Sequence, residues 1–491
     1  MVRVDGGGLV LRSRAGKGTL AAAVLASGMA FLDSTVVNVA LPSLGRDFGA
    51  TLAQLQWVIS GYTLTLAAFV LLGGALGDHW GRRRMFVVGV VWFTVASVAC
   101  GVAPTVELLI AARIVQGVGA ALLTPGSLAL LQASFTADDR ARAIGAWSGL
   151  AGVTTALGPF VGGVLIDQAS WRWIFLINVP LAAVAVLLAR RYVPESRSPA
   201  VDHHFDLAGG LLGAVALAGL TYALIAWPER GFGSVAVLGG LIVAVAGAVA
   251  FVLRERHCGP RAMLPLKLFD SRAFSVLNLY TLLVYGAFGG FLFLLVIFLQ
   301  NVVGYDALQA GLSTLPMTLL MFAFAERSGA LATKIGPKLQ LTVGPVCCAI
   351  GILLLREVGP GTDYWTGILP GVLAFGVGLT LFVAPLTAAV LAAVAVRHAG
   401  VASGVNNAAA RAGSLLAVAV LPLLVGLTGE QYEQAGPMTA GYRQAALWAA
   451  GVLVVAAAVA LFVCPHVPLT KAEVRRQKEE HLPEYGRCPS S

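Results

Sequence analysis

The stretch GDHWGRRRM (77–85) sets one acid, two glycines and three consecutive arginines between two apolar runs, 54–76 and 86–103. Each run is close to the ~20 helical residues needed to cross a ~30 Å hydrocarbon core. A nine-residue joint between two such runs reads as a tight turn between membrane-crossing helices, its arginines anchored on one side of the bilayer. The alternation continues outward in both directions. Toward the N-terminus lies 19–41; beyond 86–103 come 106–133, 142–165, 172–190, 207–227 and 235–253. Six more runs follow at 273–299, 308–331, 338–355, 366–393, 402–427 and 443–463. Fourteen runs of this length predict an all-α polytopic membrane protein.

Bulk composition leads to the same class. Of 491 residues, 58% are apolar and only 12% charged, with a mean hydropathy of +0.84. Soluble chains carry about 25% charged residues, so the ~150-residue soluble domains that the length would suggest could not be covered. A soluble multidomain enzyme, a disordered chain and a secreted disulfide scaffold are excluded. The six cysteines form no C-x-x-C pair and no histidine cluster accompanies them, so neither a metal site nor a disulfide framework is expected.

A net charge of +9 would suggest nucleic acid for a soluble chain, but its distribution speaks for topology. The N-terminus, alternate joints and the C-terminal segment hold 26 of the 33 Lys and Arg. The other joints hold five: Arg46, Arg172, Arg230, Arg356 and Arg443. Positive residues concentrate on the cytoplasmic side, so both termini are expected there and no nucleic-acid partner is. The first run is too long for a signal-peptide core and contains Asp33, so it reads as an uncleaved span.

An internal repeat organises the runs. GALATKIGPKL (329–339) again has a glycine, a small-residue spacer, a second glycine and basic residues after the second run of a six-run block. The copy has decayed, since Thr333 stands in the region where the first has Asp78. Two parallel six-span halves would place a substrate cavity at their interface. The expected division is an N-terminal bundle over 1–190, a linker with an inserted span pair over 191–272, a C-terminal bundle over 273–463 and a cytoplasmic tail over 464–491. The inserted pair has nearly empty polar faces and reads as structural. The tail mixes Lys471, Arg475, Arg476 and Lys478 with four glutamates and reads as a solvated short helix.

Ionisable residues inside the runs are the functional candidates. Asp33 lies about 12 Å from the outer end of its run and Arg113 about 10 Å from the same face. Each alone costs ~2.5–3.5 kcal/mol at the centre of a span, so pairing across a shared cavity is expected, with Gln116 one turn from Arg113. An adjacent arginine lowers a buried carboxylate's pKa while burial raises it, a suitable basis for proton exchange. The alternative is a structural acid bonded to Ser34 or Thr35. Gly152, Gly158, Pro159, Gly162 and Gly163 give one helix a small-residue side and a missing backbone donor, hence close packing and a kink. In the second half, Glu326 and Arg411, with Asn406 and Asn407 before the arginine, are candidates for a second acid–base pair; alternatively Glu326 snorkels beside Arg327.

Other chemistries lack their motifs. Gly16-Lys17-Gly18-Thr19 has Gly where a nucleotide-binding loop needs Ser or Thr, and no strand precedes it. All seven histidines fall in or beside cytoplasmic joints, and no H-E-x-x-H or G-x-S-x-G occurs. Neither an ATPase nor an enzyme is expected.

Five motifs then carry a family resemblance: LDSTVVNVALP (32–42), GDHWGRRRM (77–85), RIVQGVGAAL (113–122), GVTTALGPFVGG (152–163) and WRWIFLINVP (171–180). In this order the chain resembles the major facilitator superfamily, and within it the fourteen-span EmrB/QacA-type drug:proton antiporters. The resemblance implies a major facilitator fold of two six-helix bundles plus two inserted helices. It implies a cavity lined by spans 1 and 4, holding Asp33, Arg113, Gln116 and Asn38. It makes Asp78, with Gly77, Gly81 and Arg82, an inward gate that meets a helix N-terminus in the other half, and the 152–163 glycines an antiporter mark. The implied function is export of a drug or small amphiphile against protons, driven by the proton gradient without a cofactor; a monomer is expected, and the arginine-over-lysine and Ala/Gly/Val bias points to a bacterial plasma membrane. The alternatives are a specific exporter of a natural product or lipid, an uptake symporter, or a non-transporting sensor.

Overall fold

The computed structural model describes residues 8–196, 206–259, 264, 266–394 and 399–463. The tail reading at 464–491 and most of the linker, 197–205, lie outside the described residues. Helices occupy nearly all of the rest: α1 (Arg14–Phe48), α2 (Leu52–Trp80), α3 (Arg82–Gly101), α4 (Val106–Ser134), α5 (Ala137–Gln168), α6 (Trp173–Leu176), α7 (Asn178–Tyr192), α8 (Leu207–Arg230) and α9 (Val235–Cys258). They continue with α10 (Arg272–Phe298), α11 (Ala307–Ser313), α12 (Leu315–Ile335), α13 (Lys338–Leu355), α14 (Leu369–Ala392), α15 (Ala399–Leu424) and α16 (Ala435–Ala458). Wider π-helical turns extend α10 over Leu299–Val303, precede α14 over Tyr364–Ile368 and extend α16 over Val459–Val463.

Among the described residues, twelve helices are long and apolar enough to cross a membrane. α2 and α5, of 29 and 32 residues, stand among them as further long helices. The helices overrun the apolar stretches because backbone pairing persists past the last apolar residue until a cap stops it. Ser13 and Thr51 cap α1 and α2, Thr51 within a reciprocal capping box with Gln54. The largest departure from the sequence reading is at α16, which starts at Ala435 rather than 443, so Arg443 stands inside a helix instead of in a joint. The cause is packing: Tyr442 is fully buried, stacks on Phe298 at 4.0 Å and donates to Leu355 O at 3.0 Å. Its whole surrounding turn is therefore held helical.

Two sets of helices repeat one packing order. α1 lies on α5, α2 and α3 on α4, and α3 on α7; correspondingly, α10 lies on α15, α12 and α13 on α14, and α13 on α16. The two related joints have one geometry. α2 meets α3 at Gly81 (φ 108°), and α12 meets α13 at Gly336 (φ 79°), followed by Pro337. Positive φ at a single residue between helices favours glycine, which accounts for the second glycine of both repeat copies. α8 and α9 pack on each other, and α8 also touches α2 and α15, one from each set.

The sets are joined at the end remote from the arginine-rich loop. Gln56 Nε2 donates to Val418 O at 2.6 Å, Gln300 Nε2 to Val39 O at 2.8 Å, and Leu52 N to Gly429 O at 2.9 Å. The buried Tyr432 hydroxyl donates to Ala50 O at 2.7 Å. These hydrogen bonds between the two sets all lie toward this end. Away from it, Ser34 is exposed midway along α1. The molecule is sealed at one end.

Close helix crossing sets a testable limit. A Cβ at Gly351 of α13 would stand 2.6 Å from Gly371 O and Phe375 N of α14, both backbone atoms. Gly351→Leu should therefore cost at least the ~1–3 kcal/mol of overpacking, read as a lower unfolding midpoint in detergent. Gly239→Leu, where a Cβ meets nothing within 4 Å, should leave the midpoint unchanged.

Candidate functional site

The charged centre is assembled from α1, α2 and α4. α1 brings Asp33 and α4 brings Arg113 and Gln116, one turn apart. Asp33 and Arg113 form a salt bridge of 2.5 Å with side chains 0% and 1% exposed. The second carboxylate oxygen accepts from Gln116 Nε2 at 2.9 Å, and Gln116 Oε1 accepts from Arg113 Nη1 at 2.7 Å. Arg113 Nε donates to Val58 O of α2 at 3.1 Å. Both carboxylate oxygens are thus occupied, as a buried ionised acid requires.

Aromatic rings complete the enclosure. The Tyr62 ring lies 4.2 Å from the guanidinium carbon and Phe175 5.8 Å, close enough for cation–π attraction. Phe175 belongs to the WRWIFLINVP motif, which is pinned twice. Its carbonyl accepts from Ser97 Oγ at 2.9 Å, and Asn178 donates to the same hydroxyl at 3.0 Å. Trp171 and Arg172 both donate to Asp47 Oδ2, at 2.9 and 3.1 Å. Sequence reasoning misses Tyr62, whose only signal is a polar aromatic within an apolar run.

Asn38 stands apart from this cluster. Its amide donates to Ser34 O one turn back, at 3.0 Å, because the helix backbone supplies the nearest acceptor. The gate residues lie at the opposite, arginine-rich end. Asp78 is in the last turn of α2, but its side chain lies outside the described residues. Gly77 and Gly81 bracket the joint, and Arg82 opens α3 with its backbone N donating to Ser196 O at 3.0 Å. Arg83 N donates to Glu195 Oε1 at 3.1 Å, and its side chain donates to Val193 O at 3.2 Å. Glu195, which the sequence shows only as part of a linker, thus clasps the joint from the segment after α7.

The glycine motif meets the second set at the sealed end. Gly162 packs on Val36 of α1, Gly163 on Leu308 of α11, and Gly311 of α11 on the Pro159 carbonyl. Gly158 packs on Thr35, and the surroundings of Gly152 lie outside the described residues. Asp167, at the end of α5, accepts from the backbone N of Leu308 at 2.8 Å and of Ala307 at 3.3 Å. An acid of the first half therefore meets a helix start of the second half at the sealed end, a contact with no counterpart in the sequence reading.

The candidate Glu326–Arg411 pair is absent among the described residues. Glu326 is exposed on α12, which packs on α14 and α5, whereas Arg411 is half-buried on α15, which packs on α10, α2 and α8. Similar depth suggests a pair, but their helices are not neighbours. Asn406 is used structurally, donating to Thr281 Oγ1 at 2.7 Å across the α10–α15 crossing. Among the described residues no cluster of three or more His, Cys, Asp or Glu could hold a metal. A separate apolar groove of about 840 Å³ between α3 and α4, lined by Val91, Trp92, Val95 and Leu108, lies away from the charged centre.

These features define a multi-pass membrane protein of two repeated helical sets, the first of which encloses a buried ion pair. The sequence profile of the Major Facilitator Superfamily matches residues 23–418. The chain is 37% identical over 450 residues to the methylenomycin A resistance protein of Bacillus subtilis (strain 168), spanning 90% of this chain and 95% of that protein. It is 34% identical over 412 residues to the tetracenomycin C resistance and export protein of Streptomyces glaucescens, spanning 83% and 75%. A bacterial homologue of the human lysosomal transporter Spinster has a similar fold, with a TM-score of 0.64, 17% identity, and coverage of 90% of this chain and 96% of that one. The chain belongs to the Major Facilitator Superfamily, as a multi-pass protein of a bacterial cell membrane.

Breaking the buried pair from one side should cost far more than replacing it whole. Arg113→Met leaves Asp33 uncompensated and should destabilise by ~3–5 kcal/mol. Arg113→Gln with Asp33→Asn should recover most of that loss, measured by thermal unfolding in detergent.

Proposed function

We propose that this protein is a proton-coupled exporter of drugs or small amphiphiles that works by alternating access. The observation that carries the reading is the buried Asp33–Arg113–Gln116 cluster, a titratable acid whose charge is matched only inside the protein. In this reading all fourteen long helices cross the bilayer, with both termini and the arginine-rich end in the cytoplasm and the sealed end outside. The halves over 1–190 and 273–463 rock against each other, with the insert over 191–272 between them.

The physical logic is one of compensation. A proton on Asp33 removes the counter-charge of Arg113. An uncompensated buried charge costs ~3–5 kcal/mol, comparable with the ~5.5 kcal/mol that swings a two-state equilibrium from 1:99 to 99:1. Relief comes from repacking α1 against α4, and α1 carries Val39 and Ala40 into the sealed end. Protonation from outside therefore favours opening there, and release to the cytoplasm restores the salt bridge and the seal. Gly163 and Asp167 hold the outer contact, while Asp78, with Gly77, Gly81 and Arg82, gates the cytoplasmic end. The proton gradient supplies ~2.3 kcal/mol per charge per 100 mV, against ~1.4 kcal/mol per decade of substrate concentration. No cofactor takes part, and one chain suffices. The relatives named for antibiotic resistance and export support the outward direction.

The test is substrate-triggered proton release from energised everted vesicles across cationic, neutral and anionic compounds. Wild type should release protons, and a normally inserted Asp33→Asn variant should not. Equal release by the variant would refute the coupling role of Asp33.

A further inference from the structure

Arg411 is an intramembrane cation that the ion pair leaves unused. It stands twelve residues into the 26-residue α15, about 18 Å along the helix, and so at mid-depth. Its Nε is buried without a hydrogen-bond partner, and among the described residues it has no ion pair. Glu326, the remaining second-half acid inside a span, is exposed on a helix that does not pack against α15. An arginine in that position is costly and is retained where it faces a cavity or a ligand.

Its surroundings are built for a polar guest. α15, which carries Arg411, packs on α2 with Tyr62 and on α10 with Tyr285. Tyr62 is 2% exposed, and its hydroxyl also lacks a partner. Toward the arginine-rich end, Ala410 borders a cavity of about 110 Å³ shared with Tyr285, Thr387, Ser403, Asn406 and Asn407. A polar space thus lies one residue from Arg411 on α15, and buried unpartnered donors stand on α15 and on α2.

Charge decides the guest. With Asp33 ionised, it and Arg113 cancel and Arg411 leaves the interior with a single positive charge; protonating Asp33 adds a second. A cationic substrate is repelled in either state and finds both Asp33 oxygens already bonded. We propose that Arg411, with the Tyr62 hydroxyl, binds an anionic group, so that the exported compounds are amphiphilic acids carrying a carboxylate, enolate or acidic phenol. This rests on the exporter reading. Movement of such an anion out of a negative-inside cell is downhill in the membrane potential.

The test uses three probes that differ chiefly in charge: 2-naphthoate, 2-naphthamide and 2-naphthylmethylammonium, with binding to the purified full-length protein measured by calorimetry. Wild type should bind the naphthoate at least about tenfold more tightly than the other two, a difference of ~1.4 kcal/mol. Arg411→Gln should abolish that preference, Arg411→Lys should retain most of it, and Tyr62→Phe should weaken it several-fold. Equal or tighter binding of the ammonium, an unchanged preference in a folded Arg411→Gln variant, or binding of none of the three would overturn the inference. A cation preference with proton release intact would sink the anion site and leave the exporter standing. An anion preference without proton release would do the reverse.

Discussion

A buried carboxylate can stay ionised only where something else inside the protein carries the opposite charge. Asp33 and Arg113 meet that requirement for each other, at 2.5 Å and out of reach of solvent. Much of the first half serves this contact. Gln116 fills the second carboxylate oxygen, Val58 O takes the guanidinium Nε, and Tyr62 and Phe175 close over the cation. The WRWIFLINVP motif matters here because Ser97 and Asn178 fix the backbone that presents Phe175.

The same α1 that carries Asp33 also runs into the seal between the halves. Val39 accepts from Gln300, and Ala50, just beyond its end, accepts from Tyr432. One helix therefore links the ion pair at Asp33 to the contacts at the sealed end. The glycines of α5 and α11 let backbones meet directly across that end, and Asp167 adds a carboxylate to the start of α11. Small residues there make the seal tight, and the hydrogen bonds make it specific.

The apolar runs and the depth match of Asp33 with Arg113 are legible in the sequence because both rest on local quantities, helical rise and apolar length. The paired joints at Gly81 and Gly336 are legible as a repeated motif. Relations set by which helices touch are not. Glu326 and Arg411 match in depth yet sit on helices that are not neighbours. Glu195 reads only as part of a linker and Asp167 lies just past an apolar run, and only the fold shows that one clasps Arg83 and the other caps α11. Arg443 looks like a joint residue because its segment is weakly apolar, but burial of Tyr442 keeps that turn helical.

The most direct measurement is the separation of spin labels at Arg46→Cys and Glu430→Cys, on opposite sides of the seal, by double electron–electron resonance. It would be taken with Asp33 intact and with Asp33→Asn. With Asp33 intact, the distribution should be short. The Asp33→Asn variant should give a long distribution. A short distribution in Asp33→Asn would contradict the claim that the charge on this one residue holds the seal.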